Sequence, residues 1–147
     1  EYPLLLEGSL ALFDADVGQF ELAKINNADL YLVLPDPDSL AIERRMVVFI
    51  IGLDNGDAFF SKFERERDAF LQDFKSAEIK SLSATDVADP VKTHITRCKA
   101  WADFDKAAFR KYITYYCERS GLRETFRAAF VEKINKINRQ HGLPTIA

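Results

Sequence analysis

Apolar positions change their spacing along this chain. In the first third they fall in short runs. Residues 3–7, 9–13 and 30–34 are brief, apolar and bounded by Gly, Asp, Asn or Pro, the punctuation of strands. Residues 17–25 fit either a short helix or the first arm of a hairpin turning at Asn26-Asn27. Residues 46–53 are almost continuously apolar and fit either helix or strand, with the β-branched Val47, Val48, Ile50 and Ile51 favouring a buried strand. A helix from Leu40, capped by Asp38 or Ser39, is expected to precede it.

From Asp57 onward the spacing becomes helical. Asp57 can cap a helix running to Lys75, with Phe59, Phe60, Phe63, Phe70, Leu71 and Phe74 on one arc of about 120°. Asp89-Pro90 marks another start, because proline suits the first helical position. That helix would bury Val91, Ile95, Cys98 and Ala102. Asp103 or Asp105 can cap a third helix to Arg119, whose wide apolar arc includes Phe109, Tyr112, Ile113, Tyr115 and Tyr116. Gly121 separates it from a last helix over 122–140, which Gly142 stops. These elements predict an α+β fold: a small N-terminal sheet of two to four strands packed with four or five helices, the C-terminal two-thirds helical. A single domain over 1–147 is expected, with an acidic mixed lobe at 1–80 and a basic helical lobe at 90–147. The stretch 81–89 is the seam.

Composition narrows the class. The 147 residues are 48% hydrophobic and 29% charged, so a globular core is expected rather than disorder. Two cysteines, Cys98 and Cys117, make no disulfide framework and fit a reducing, cytoplasmic setting. The longest apolar run falls far short of the roughly 20 residues of a membrane helix, so no membrane partner is expected. The net charge of −3 hides a split. Residues 1–90 carry 8 Lys+Arg against 18 Asp+Glu, and residues 91–147 carry 12 against 5. Either the two halves pack on each other, or the basic half offers a surface to an anionic partner such as nucleic acid. Arg119, Arg123, Arg127 and Lys136 are the candidate binding residues for the second case. They do not form one stripe on a helical wheel, as a groove-reading helix would require.

Carboxylates supply the main candidate chemistry. Asp14 and Asp16 follow the run 10–13, Asp36 and Asp38 follow 30–34, and Asp54 and Asp57 follow 46–53. On parallel strands these would gather at the C-terminal sheet edge, where α/β sheets place ligands. Asp14, Asp16, Asp36 and Asp38 are therefore candidate ligands for Mg²⁺, a hard cation that takes oxygen donors. The plainer reading is that each aspartate starts a turn or caps a helix. Arg67 is the remaining catalytic candidate. It projects from the centre of the Phe-rich arc, aimed at an anion or else paired structurally. His94 and Cys98, four residues apart, could share a helix face as a candidate metal-ligand or nucleophile–base pair, or else as plain core.

Two short stretches resemble known motifs. Leu10-Ala11-Leu12-Phe13-Asp14-Ala15-Asp16-Val17 is similar to the first motif of haloacid-dehalogenase-type phosphatases. That resemblance implies Asp14 as nucleophile and Asp16 as acid/base. The Gly-Thr that usually follows is absent from this chain. Glu7-Gly8 with Asp36-Pro37-Asp38 resembles the Glu-Gly and Asp-x-Asp elements of Toprim domains, which implies Mg²⁺-dependent work on nucleic-acid backbones. The spacing of the two elements is shorter here than in that family. Each resemblance covers fewer than ten residues. No catalytic set is complete in the sequence. The leading expectation is therefore a non-catalytic interaction or regulatory module, binding a protein partner or itself. A Mg²⁺-dependent phosphoryl-transfer or nuclease-like enzyme and a nucleic-acid-binding protein are the alternatives.

Overall fold

A computed structural model describes residues 9–25, 27–80, 82–89 and 92–147. The fold is α+β and mostly helical. Its described elements are strand β1 (Ala11–Phe13), helix α1 (Gln19–Leu22), a 3-10 turn (Ala28–Leu30), strand β2 (Tyr31–Val33), and helices α2 (Ile42–Gly52), α3 (Ala58–Lys62), α4 (Arg67–Ser76), α5 (Ala84–Ala88), α6 (Lys92–Phe104), α7 (Lys106–Arg119) and α8 (Leu122–Gln140). The expected strand over 3–7 lies outside the described residues. So do Pro90 and Val91, at the expected start of α6. Among the described residues no helix is long and apolar enough to cross a membrane.

The chain resolves into two compact units, Glu1–Ser39 with Ser120–Ala147, and Leu40–Arg119. In the first, β1 and β2 pair in parallel, with Ala11 opposite Tyr31 and Phe13 opposite Val33. Phe13 and Tyr31 meet edge to face at 6.2 Å between centroids. α8 packs against the 3-10 turn and β2. Asn27 caps that turn, its side chain accepting from the Asp29 N–H at 2.9 Å. The segment 17–25 resolves its ambiguity as the short helix α1.

In the second unit α2 is the central helix, packed against α4, α5, α6 and α7. Here the strand expected at 46–53 is corrected: these residues continue the helix that starts at Ile42. The buried set Met46, Val47, Ile50 and Ile51 follows a helical spacing, and burial on several sides overrides the β preference of the branched residues. The expected helix 57–75 is likewise two helices. Asp57 caps α3 as predicted, accepting from the Phe59 N–H at 2.9 Å. Glu64 then turns left-handed at φ 50°, and the Arg65 N–H reaches back to the Phe60 carbonyl at 3.1 Å. This is a Schellman ending. α4 ends the same way, with Glu78 at φ 56° and Ile79 bonded to Phe74.

The core of this unit is aromatic. Phe59 is fully buried, with the rings of Phe49, Phe63, Phe70, Tyr112 and Tyr115 centred 4.8–5.7 Å away. Most of these contacts are tilted or edge-on, the geometry that aromatic quadrupoles favour. The stretch expected as a seam lies within this unit, where it carries α5, capped by Ser83 and packed on α2.

Candidate functional site

Among the described residues of the second unit, the most exposed large apolar side chain lies at the corner between α6 and α7. Asp103, Phe104 and Asp105 form that corner. Asp105 opens α7 by accepting from the Ala108 N–H at 2.9 Å, and Lys106 pairs with Asp103 at 3.0 Å. Between them Phe104 is 91% exposed. Beside it lies a hollow of about 280 Å³ walled by Ser76, Ala77, Ala100 and Trp101. A second of about 120 Å³ adjoins it across Trp101 and Asp73. Trp101, which forms the floor, packs edge-on against Phe74 at 4.9 Å and Phe109 at 5.5 Å. The rim carries an Arg65–Asp73 ion pair, with the Arg65 guanidinium lying over the Phe70 ring. A hollow of this size takes one or two side chains, below the usual span of small-molecule sites.

A wider groove of about 450 Å³ lies along α7 and the end of α3, lined by Lys62, Phe63, Glu64, Lys111, Tyr115 and Glu118. Its charges alternate in sign, which gives no preference for anions or cations.

The residues singled out from the sequence have definite places. Because β1 and β2 are parallel and in register, Asp14 and Asp36 both follow the same sheet edge, whereas Asp54 and Asp57 follow helix α2. Asp14 accepts from the Ala15 N–H at 2.8 Å, and Asp36 accepts from the Asp38 N–H at 3.0 Å, an Asx turn. Asp16 is exposed. Among the described residues no group of three or more His, Cys, Asp or Glu side chains is close enough to hold a metal ion. Glu7 and Gly8 lie outside the described residues.

Arg67 is tied to the end of α2. Its Nε donates to the Leu53 carbonyl at 3.1 Å and an Nη to the Ile51 carbonyl at 2.8 Å. Helix carbonyls at a C-terminus lack intrahelical partners and carry partial negative charge, so a guanidinium there satisfies both needs. Arg44, which sequence reasoning missed, does the same for α5. Only 3% exposed, it places Nε and Nη 3.1 and 2.8 Å from the Val87 carbonyl and also donates to that of Asp89. An arginine inside the apolar face of a helix was the available signal.

The basic candidates divide. Arg119 pairs with Asp57 at 2.7 Å. That hydrogen bond, with the Phe59 N–H, holds the Asp57 carboxyl below the usual carboxylate range and raises the Arg119 guanidinium in turn. Lys136 pairs with Asp29 at 2.5 Å. Lys133, inside the apolar arc of α8, donates to the Ala28 carbonyl and lies 5.7 Å from the Tyr31 ring centroid. Arg123 is also engaged, and Arg127 is exposed. His94 and Cys98 share α6. Burial pushes the Cys98 thiol up to about 12, the wrong direction for a nucleophile.

Phe104 was not foreseen either, although the wheel carries the signal. It projects about 180° from Ile95, opposite the face that buries Cys98 and Ala102. Comparison with known proteins finds no matching family model, no similar curated protein and no similar solved structure.

Proposed function

We propose that this chain is a non-catalytic protein-interaction module that associates with a second copy through the corner between α6 and α7. The observation that carries the reading is Phe104, almost wholly exposed beside an apolar hollow floored by Trp101. An aromatic knob next to an aromatic-floored hole, rimmed by an ion pair, has the anatomy of an interface hot spot. Such a patch suits a self-complementary contact, in which each copy offers both parts. The placed polar groups add support. Asp36, Asp57 and Asp105 form turns and caps, while Arg44 and Arg67 hold helix ends. They act on this chain's own backbone.

Sedimentation velocity up to about 200 μM tests the proposal, a range that detects association free energies down to about −5 kcal/mol. The wild-type chain should show a concentration-dependent shift, and Phe104→Glu should weaken it by roughly ten-fold or more. A wild-type chain that stays monomeric throughout, or a variant with an unchanged profile, would remove the reading's support.

A further inference from the structure

Beyond α8 the chain reverses and runs back along the helix. Gly142, at φ 67°, makes the turn, with the Gly142 N–H on the Arg139 carbonyl at 3.3 Å and the Leu143 N–H on that of Asn138 at 2.8 Å. Only glycine takes this conformation without cost, so the reversal is set by sequence. Residues 143–147 are then held by two side chains of α8. Asn138 Nδ2 donates to the Pro144 carbonyl at 2.8 Å. Asn135 Nδ2 donates to the Ile146 carbonyl at 2.9 Å, and its Oδ1 accepts from the Ile146 N–H at 2.7 Å.

The pattern is that of a strand edge. One carboxamide pairs with both backbone groups of one residue, and the next held residue is two positions away, the period of an extended chain. Proline has no N–H to offer, and at Pro144 the helix supplies a donor alone. All three of these hydrogen bonds are to main chain. Partial side-chain burial adds to them, with Leu143 56% and Ile146 44% exposed. Three hydrogen bonds, each worth little net of water, stand against the ordering of five residues.

We propose that the Asn135–Asn138 face of α8 is a docking site for an extended peptide of Pro-x-aliphatic pattern, and that residues 143–147 are its resident occupant, a strap that a partner's peptide of the same pattern replaces. Main-chain hydrogen bonds supply the affinity; the partly covered Ile146 side chain supplies the aliphatic preference, and the lone donor at Pro144 suits a residue without an N–H. This site is separate from the corner between α6 and α7, and it stands or falls independently of self-association.

The test uses the full chain, ¹⁵N-labelled, and a peptide copying residues 142–147. Ile146→Pro deletes the N–H that Asn135 accepts. It changes an exposed position, so α8 is left intact while the strap is released. In that variant the peptide should shift the side-chain NH₂ resonances of Asn135 and Asn138. It should bind roughly ten-fold more tightly than in the wild type, where the tethered strap competes at high effective concentration. Adding Asn135→Ala should abolish the gain. Absence of any shift in Ile146→Pro at about 5 mM peptide would overturn the proposal. So would equal binding by Ile146→Pro and wild type, or binding indifferent to Asn135→Ala.

Discussion

Arg67 is the side chain on which a catalytic and a structural reading diverge most sharply, and Arg67→Met separates them. Methionine keeps the stem and its helix propensity but deletes both hydrogen bonds to the end of α2. Each bond joins a charged donor to a neutral carbonyl, worth roughly 1.5–3 kcal/mol when buried. The side chain is half-buried, so the lower end applies to each. Losing a cation from a helix C-terminus adds about 0.5 kcal/mol. Water can reach the freed carbonyls and returns part of the sum. A net loss of about 2–3 kcal/mol follows. With a urea slope of roughly 2 kcal/mol/M, the midpoint should fall by about 1–1.5 M with the slope unchanged. Trp101 is the only tryptophan and belongs to the same unit as Arg67, so its fluorescence follows that unit directly. Arg67→Lys should recover part of the loss, since an ammonium keeps the charge but not the two-pronged geometry. A change below about 0.5 kcal/mol in Arg67→Met would refute the capping role and return the guanidinium to the list of binding groups.

Three further outcomes follow from the same geometry. Glu64→Gly should stabilise by about 0.5–1 kcal/mol in urea unfolding, since the left-handed turn costs a side-chain-bearing residue about 1–2 kcal/mol and glycine's looser unfolded chain returns part of it; Glu64→Ala should gain nothing, and equal effects of the two would contradict the assignment. Asp57 has a folded pKa depressed by Arg119, so its share of stability is present above the ordinary carboxylate pKa and is lost as pH falls through the depressed value. Asp57→Asn, which still caps α3, should therefore flatten the acid limb of a pH–stability profile below about pH 4, and an unchanged limb would count against the ion pair. The Cys98 thiol, raised to about 12 and fully buried, should react with a disulfide reagent at pH 8 only as fast as its unit opens, so rapid labelling of Cys98 in folded protein would show that α6 is not packed as described.

Local signals in this sequence were legible, and signals that depend on long-range packing were not. Asp57, Asp105, Gly121 and Gly142 act within one turn of themselves, and each ends or opens a helix where the sequence places it. The parallel pairing of β1 with β2, with aspartates after both, was also within reach. The helix at 46–52 was not. Its β-branched residues argue for a strand, and only neighbours far away in sequence bury them as a helix. The break between α3 and α4 was hidden for another reason. Its left-handed residue is Glu64 where glycine would have announced the turn. Arg44 illustrates a third kind of silence, because its carbonyl partners lie 43 and 45 residues away. The corner at Phe104 was readable from its wheel position, but the hollow beside it needs Ser76 and Ala77 of another segment.

The charge split along the chain changes meaning once the residues are sorted by unit rather than by position. Counted as halves, the sequence offers an excess of ten negative charges up to residue 90 and seven positive charges after it. The first unit instead joins the acidic Glu1–Ser39 to the basic Ser120–Ala147, with 6 Lys+Arg against 10 Asp+Glu, a net −4. The second carries 14 against 13, a net +1. Within the first unit the opposed charges meet: Lys136 on Asp29, and Lys133 on the turn that holds Asp29. Within the second, Arg119 answers Asp57. These cations are spent on the fold, and a long-range field strong enough to draw a polyanion needs cations that are not. The two surfaces proposed for recognition are centred on uncharged side chains. They are an aromatic corner at Phe104 and a pair of asparagines on α8 that already read an extended backbone. Binding to either should therefore be insensitive to salt, which is the opposite of what the sequence's charge split alone would lead one to measure.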